Sequence, residues 1–384
     1  MMRLLGLGAV VGLVALVGAH WLLAGVLYDD LPGPPLPPMD PPTGLASLSA
    51  AQCAACHAEI HAEWAVTRHG EAFTDPLYQA DLAHQGEPYV CAYCHTPLVE
   101  QRPTVVSGIR LFWPSLVAAE APNPRYVEGF EREGVTCATC HMRGGAMVAS
   151  HEVDSPHATR ADPGFASVEM CRPCHSLDIT FGTKLVRPIQ DTFEEWEAYR
   201  AAGGDQTCID CHMPRVEPRS MALDRPARPG RSHALRGPRD VAFLRTGVVI
   251  EGSAIEASAG AVRARLTIFN GSGHRIPTAE PQRRVEVVLE ALDEAGAALA
   301  SSREVIQRAV QMPAMREEVG DDTTLKPRER RQLALEVQAP PGARRARLRV
   351  IYVVWDAGDA LVAQAGLSSE DLVLEIHSEI IGLD

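Results

Sequence analysis

Lysine is almost missing from this 384-residue chain: Lys184 and Lys326 are the only two, and arginine carries the rest of the positive charge. Against 36 Lys+Arg stand 49 Asp+Glu, a formal charge of −13. That balance excludes the basic face needed for nucleic acid or an anionic membrane surface, and it suits a basic protein partner. Aromatic residues are also scarce, at 5 %, so Phe, Tyr and Trp cannot be what fills a core of ordinary size. Cysteine is absent beyond Cys211, which leaves the C-terminal third without disulfides or thiolate sites. Apart from one short recurring motif, no longer segment repeats along the chain, which excludes a solenoid.

The N-terminal residues 1–28 contain an apolar run, Leu4 to Tyr28, broken only by His20. Its length suffices for a transmembrane helix. Arg3 before it and Asp29–Asp30 after it place the N-terminus in the cytoplasm by the positive-inside rule. The expectation is an uncleaved anchor, with the membrane as a partner and the remainder on the periplasmic side of the cytoplasmic membrane. The alternative is secretion after cleavage at the small residues Val17-Gly18-Ala19. Residues 29–50 form a proline-rich linker (LPGPPLPPMDPP over 31–42) that reads as a semi-rigid spacer, because its fixed φ angles and missing amide donors keep it out of helix and sheet interiors.

All ten cysteines lie in residues 51–240, in five pairs with two residues between partners. A disulfide closing so short a loop removes little unfolded-state entropy, so these thiols are not structural staples. Each pair is followed by histidine: Cys53-Ala-Ala-Cys56-His57, Cys91-Ala-Tyr-Cys94-His95, Cys137-Ala-Thr-Cys140-His141, Cys171-Arg-Pro-Cys174-His175 and Cys208-Ile-Asp-Cys211-His212. Two thiols three residues apart reach the two vinyl groups of one porphyrin, and the adjacent imidazole reaches its iron. The spacing therefore predicts five covalently bound haem c groups. Their iron would take its proximal ligand from His57, His95, His141, His175 and His212. Zinc, the competing use of Cys-x-x-Cys, does not account for a histidine after all five pairs. Flat macrocycles would also supply the core volume that the aromatics do not. Apart from short helices expected at Ala58–Thr67 and Asp191–Ala201, this region reads as mainly irregular.

The sixth ligand decides between conduction and catalysis, since only an iron with a vacant position binds a substrate. Outside the motifs the candidates are His61, His69, His84, His151, His157, His233 and His274; His20 lies in the apolar run and His377 on an outward strand face. Met142 and Met213 follow proximal histidines directly and would lie on the wrong side of their own iron, so they read as packing residues.

From about residue 241 to 384 the pattern changes to period two. Val262, Ala264, Leu266 and Ile268 alternate with polar residues, as do Leu333, Leu335 and Val337; Leu348, Val350, Tyr352 and Val354; and Leu372, Leu374 and Ile376. Antiparallel strands between Gly, Pro and Asp clusters predict an all-β Ig-like sandwich.

The segment His57-Ala-Glu-Ile-His61-Ala-Glu-Trp64-Ala-Val-Thr67-Arg-His69 resembles one found in multihaem cytochromes related to the tetrahaem partner of hydroxylamine oxidoreductase. That family carries Tyr where His61 stands and Ser where Thr67 stands. Cys94-His95-Thr96-Pro97, Gly134-Val135-Thr136-Cys137, Gln190-Asp191-Thr192-Phe193-Glu194-Glu195-Trp196 and Cys211-His212-Met213-Pro214 are similar to further segments of it. The resemblance implies distal ligation by His69, His157 and His233, and packing for His61. The loop Asn270-Gly-Ser-Gly-His274-Arg-Ile-Pro277-Thr278 is similar to one whose histidine reaches a haem, with Ala279 where that loop has glycine. One distal position is left, for His84 or its rival His151. The implied function is electron transfer between redox partner proteins through closely packed, mostly bis-histidine haems. Two alternatives stand beside it: a reductase or oxidase of a small nitrogen or sulfur compound at one five-coordinate haem, and an anchored quinol-dehydrogenase subunit.

Overall fold

The computed structural model describes residues 36–84, 86, 91–112, 115–165, 167–176, 190–258, 260–280, 282–311, 318–356 and 358–383. The cysteine-bearing half is built from short helices and small sheets. Helices run over Ala58–Ala65, Pro76–His84 and Thr192–Ala201. Asp191 occupies the N-cap of the last of these but gives that helix no side-chain cap; its carboxylate accepts from Arg308 Nη1 at 3.0 Å instead. Three small sheets join them: the hairpin β1 (Thr104–Phe112) with β2 (Ser115–Pro122); β3 (Met142–Arg143), β4 (Ala146–Ala149) and β5 (Thr159–Ala161); and the pair β6 (Arg215–Arg219) with β7 (Arg228–Arg231). Only a small apolar cluster serves this half, formed by Met39, Leu48, Leu98, Phe130, Ala138 and Met142. The proline-rich segment contributes to it. From Met39 onward that segment lies against the body of the protein, and Arg125 Nη2 donates to the Met39 carbonyl at 2.8 Å.

The C-terminal half holds β8 (Val248–Ser258), β9 (Ala261–Asn270), β10 (Arg284–Leu292), β11 (Ala298–Gln311), β12 (Glu318–Asp322), β13 (Arg330–Gln338), β14 (Arg345–Val353) and β15 (Val373–Gly382). They form a five-stranded sheet in the order β12-β11-β10-β14-β15 and a three-stranded sheet in the order β13-β9-β8. The alternating residues point inward as their period demands: Val262, Ala264, Leu266, Ile268, Leu348 and Val350 are all buried in one core shared by both sheets. The middle strand β10 is buried on both faces. Its two glutamates are met there by arginines: Glu286 by Arg284 of the same strand at 2.5 Å, and Glu290, which accepts from Arg347 Nε at 2.8 Å and from Arg349 Nη2 at 3.0 Å on the neighbouring β14. Leu289→Ala, which empties a fully buried position opposite Leu348, is expected to cost about 2–5 kcal/mol in chemical denaturation.

Two expectations are corrected. The strands are distributed over several sheets, large and small, and no Ig-like sandwich is shown. Alternation marks which residues face inward but does not encode which strands pair, so the sandwich inference went beyond its signal. The transmembrane helix, and with it the membrane as partner and the anchored location, is likewise not upheld. Among the described residues no helix is long and apolar enough to cross a membrane. The longest, Thr192–Ala201, has 10 residues, half of the roughly 20 that a bilayer core demands. The run Leu4–Tyr28 lies outside the described residues.

The two halves meet at named contacts. Arg308 of β11 pairs with Asp191, with both side chains buried. Thr192 and Thr278 share a hydroxyl hydrogen bond at 2.8 Å. Leu77 and Ala80 of the helix Pro76–His84 join the β core directly.

Candidate haem-binding site

Each Cys-x-x-Cys-His motif sits on a single turn of helix: Ala50–Ala54 leading to Cys56 and His57, then Ala92–His95, Cys137–His141, Arg172–His175 and Cys208–His212. Residues three and four apart share one helix face, so both thiols and the imidazole present to the same side. Local capping sets several of these turns. Ser49 Oγ accepts from Ala51 N, Thr136 Oγ from Ala138 N, and Asp210 closes a capping box with Thr207. No disulfide joins any cysteine.

Of the five motif imidazoles, four are held by their Nδ1 atoms. His57 Nδ1 lies 2.6 Å from Met221 O, His95 Nδ1 2.5 Å from Ala72 O, His141 Nδ1 3.1 Å from Val148 O and His212 Nδ1 2.8 Å from Arg236 O. Only an N–H can satisfy a carbonyl, so the proton belongs on Nδ1 and the Nε2 lone pair is left for a metal.

Three of these histidines face a second imidazole from a distant part of the chain. Ring centres lie 6.3 Å apart for His175 and His69, 6.3 Å for His141 and His233, and 6.5 Å for His212 and His274. Two imidazoles on opposite sides of one metal, each with a bond of about 2 Å and about 1.1 Å from nitrogen to ring centre, would be about 6.3 Å apart. The three observed separations fit a metal ion held between the rings. His233 and His274 also donate through Nδ1, to Arg231 O at 3.1 Å and to Arg275 O at 2.8 Å. His69 is positioned by close backbone approach. Its carbonyl accepts from Val135 N at 2.9 Å, and Gly134, at φ +55°, sits where any Cβ would strike that carbonyl. Here lies the physical sense of the Gly134-Val135-Thr136-Cys137 motif.

The remaining candidates are placed differently. His157 is half-buried, its Nδ1 enclosed and without a hydrogen-bond partner among the described residues. His84 is exposed at the end of its helix. His151 is also exposed, with Nδ1 near Ser150 Oγ and Nε2 2.8 Å from Arg228 Nη1. His61 packs on Trp64 at 5.3 Å between ring centres, and Met142 is buried in the small apolar cluster. No second imidazole stands opposite His57 or His95 among the described residues. His95 instead carries the Tyr78 ring stacked on it at 3.7 Å, a neighbour that the motif gave no sign of.

Neighbouring motifs touch through their thiols. The Cys137 thiol holds that of Cys53 below the usual thiol range by hydrogen bonding; Cys174 does the same for Cys94, and Cys171 for Cys208. Cys140 and Cys171 are also close enough to interact electrostatically, so the third motif adjoins the fourth. Burial pushes the Cys91 and Cys140 thiols up to about 11.

Burial acts on the histidines in the opposite sense, because it disfavours the cation. His69, His141 and His274 are held down to about 4, chiefly by desolvation and then by neighbouring charges. Kept neutral, such rings are ready to offer a lone pair to a metal.

Among the described residues, no three or more His, Cys, Asp or Glu side chains converge on a single point as a metal-ion site. A zinc site built from these thiols is therefore not formed, whereas facing imidazole pairs beside paired thiols fit haem. Among the described residues, Arg283 Nε and Thr139 Oγ1 are buried side-chain atoms without a hydrogen-bond partner.

No family model matches the chain, and no curated protein matches it. Among solved structures, a penta-heme cytochrome c552 from Thermochromatium tepidum aligns with 88 % of this chain and 99 % of its own length, at a TM-score of 0.62 and 19 % identity. The chain therefore shares the fold of a multihaem cytochrome c. A second structure, described as AvmM catalysing macrocyclization in alchivemycin A biosynthesis, covers 36 % of the chain at a TM-score of 0.20 and 12 % identity, and carries no argument.

Proposed function

We propose that this protein is a pentahaem c-type cytochrome that carries electrons between redox partner proteins. The observation that carries the reading is the set of three imidazole pairs at 6.3–6.5 Å, each joining a motif histidine to a remote one. Bound at these positions, haem iron supplies one-electron ferric/ferrous chemistry. The chain's own residues do the rest. Thioethers from the ten cysteines fix each macrocycle, and His57, His95, His141, His175 and His212 bind from one side. His69, His233 and His274 would close the other side at motifs four, three and five; His157, the further distal candidate from the sequence, faces none of the motif imidazoles among the described residues. Irons closed on both sides exchange electrons and offer no site for substrate.

The thiol contacts order the carriers. Motif one adjoins three, three adjoins four, and four adjoins both two and five. Electrons would hop along that branched line, with the fourth position as its junction. The apolar run Leu4–Tyr28 would act as a cleaved export signal, which places the carrier in the periplasm.

A second reading rests on one observation. His95 has no imidazole opposite it among the described residues, and His84 is exposed, which supports a five-coordinate haem at motif two acting on a small nitrogen or sulfur compound. Haem assay of the purified protein against its concentration is expected to give five haems per chain. A spectrum of the oxidised protein should be mainly low-spin; a majority of high-spin haem would overturn the carrier reading.

A further inference from the structure

We propose that Glu195 takes up a proton from solvent when the iron between His212 and His274 is reduced, so that electron transfer at this end of the chain is coupled to proton transfer. The inference rests on the haem reading given above. One electron passes from a one-electron reductant to the iron, one proton passes from water to the Glu195 carboxylate, and the net charge of the site is unchanged.

The geometry joins the two groups by a short relay. Glu195 Oε2 accepts from Arg275 N at 3.0 Å, and the carbonyl of the same Arg275 accepts from His274 Nδ1 at 2.8 Å. Glu195 Oε2 also accepts from Thr278 Oγ1 at 2.6 Å. The carboxyl thus holds both ends of the segment that presents His274 to its partner, from the haem-bearing half across to the β half.

The charges around it make a second full negative charge costly. Glu195 is buried, and it lies one helical turn from Asp191, which already occupies the buried Arg308. From the loop side come Arg275, which is paired with Asp322, and Arg283 and Glu280, which line the same small cavity. Burial first, and the neighbouring Asp191 second, push the Glu195 carboxyl up to about 7. A group poised there responds to a charge arriving nearby. The incoming electron raises its proton affinity further, so reduction is favoured at low pH and the potential falls as the pH rises from about 7. Asp191 and Asp322 each face an arginine, and although burial also raises the Glu280 carboxyl, it is Glu195 that accepts from the Arg275 amide beside His274.

Spectroelectrochemical titration of the intact holoprotein at pH 6, 7, 8 and 9 tests this. In the unaltered protein one of the haem components should shift toward a tenfold change in its reduction equilibrium per pH unit above pH 7, which is 59 mV for one electron. Glu195→Gln should flatten that component while the low-spin spectrum is retained. A slope unchanged in Glu195→Gln would overturn the proposal. Should that variant lose its low-spin spectrum, Thr278→Val decides. Removing one hydrogen bond to the carboxylate should move the sloping window to higher pH, and an unmoved window refutes the coupling. A purely structural Glu195 would alter spectra or haem retention without altering the slope. Failure to find haem in the protein at all would instead dispose of the cytochrome reading, so the two failures are distinguishable.

Discussion

Replacing both Cys171 and Cys174 with alanine is expected to remove one haem from the protein and to disable it more severely than the same change at any other motif. The fourth motif touches the second through Cys174 and Cys94, the fifth through Cys171 and Cys208, and the third through the proximity of Cys171 and Cys140. The motif is also tied into the surrounding helices. Arg172 pairs with Glu169 and Glu197 and lies 3.9 Å over the Phe193 ring. Because the cysteine-bearing half has only a small apolar cluster of its own among the described residues, bound macrocycles would supply much of its interior. Losing one at the junction should cost more than about 4 kcal/mol, the range reserved for lost metal or cross-link sites. Mass spectrometry should show a product lighter by one haem, and the melting temperature should fall sharply. Transfer between partners entering at motif one and leaving at motif five should drop by more than about tenfold, because the line of carriers is cut. A variant with four haems and unaltered electron transfer would refute the junction.

The second large effect is expected from His274→Ala. His274 is half-buried and faces His212 at 6.5 Å between ring centres. Its loss should open one iron, turning one of the low-spin haems high-spin and making it able to bind carbon monoxide. Because the histidine comes from the β half, the change also cuts a tie between the halves, and about 2–5 kcal/mol of stability should go with the emptied site. His84→Ala and His151→Ala are the controls. Both residues are exposed, and neither substitution is expected to change the spin state. An unchanged spectrum in His274→Ala would refute its assignment as a ligand.

What the sequence made legible was local. Five residues contain each attachment site, so the motifs could be read without any fold. Period-two alternation marked β9, β13 and β14 because each has one face inward. Strand β10 gave no such signal, since Val285, Val287 and Val288 are buried on both of its faces alongside two arginine-paired glutamates. The pairing of His69 with His175 and of His141 with His233 lies beyond any local pattern, and spacing alone could not have matched them. Resemblance named His69, His233 and His274 but not their partners. The same limit undid the sandwich, because strand order is a long-range property. Neither Tyr78 against His95 nor the cluster around Glu195 left any trace in the sequence, because each is made by segments that meet only in the fold.

The pairing of His212 with His274 also makes the fifth motif a gauge of the C-terminal strands. The two rings stand 6.5 Å apart, one from the cysteine-bearing half and one from the loop that follows β9. With a metal held between them, loosening of the β sheets would register at once as a change of ligation. The colour of the protein would then report the folding of a region that contains no cysteine.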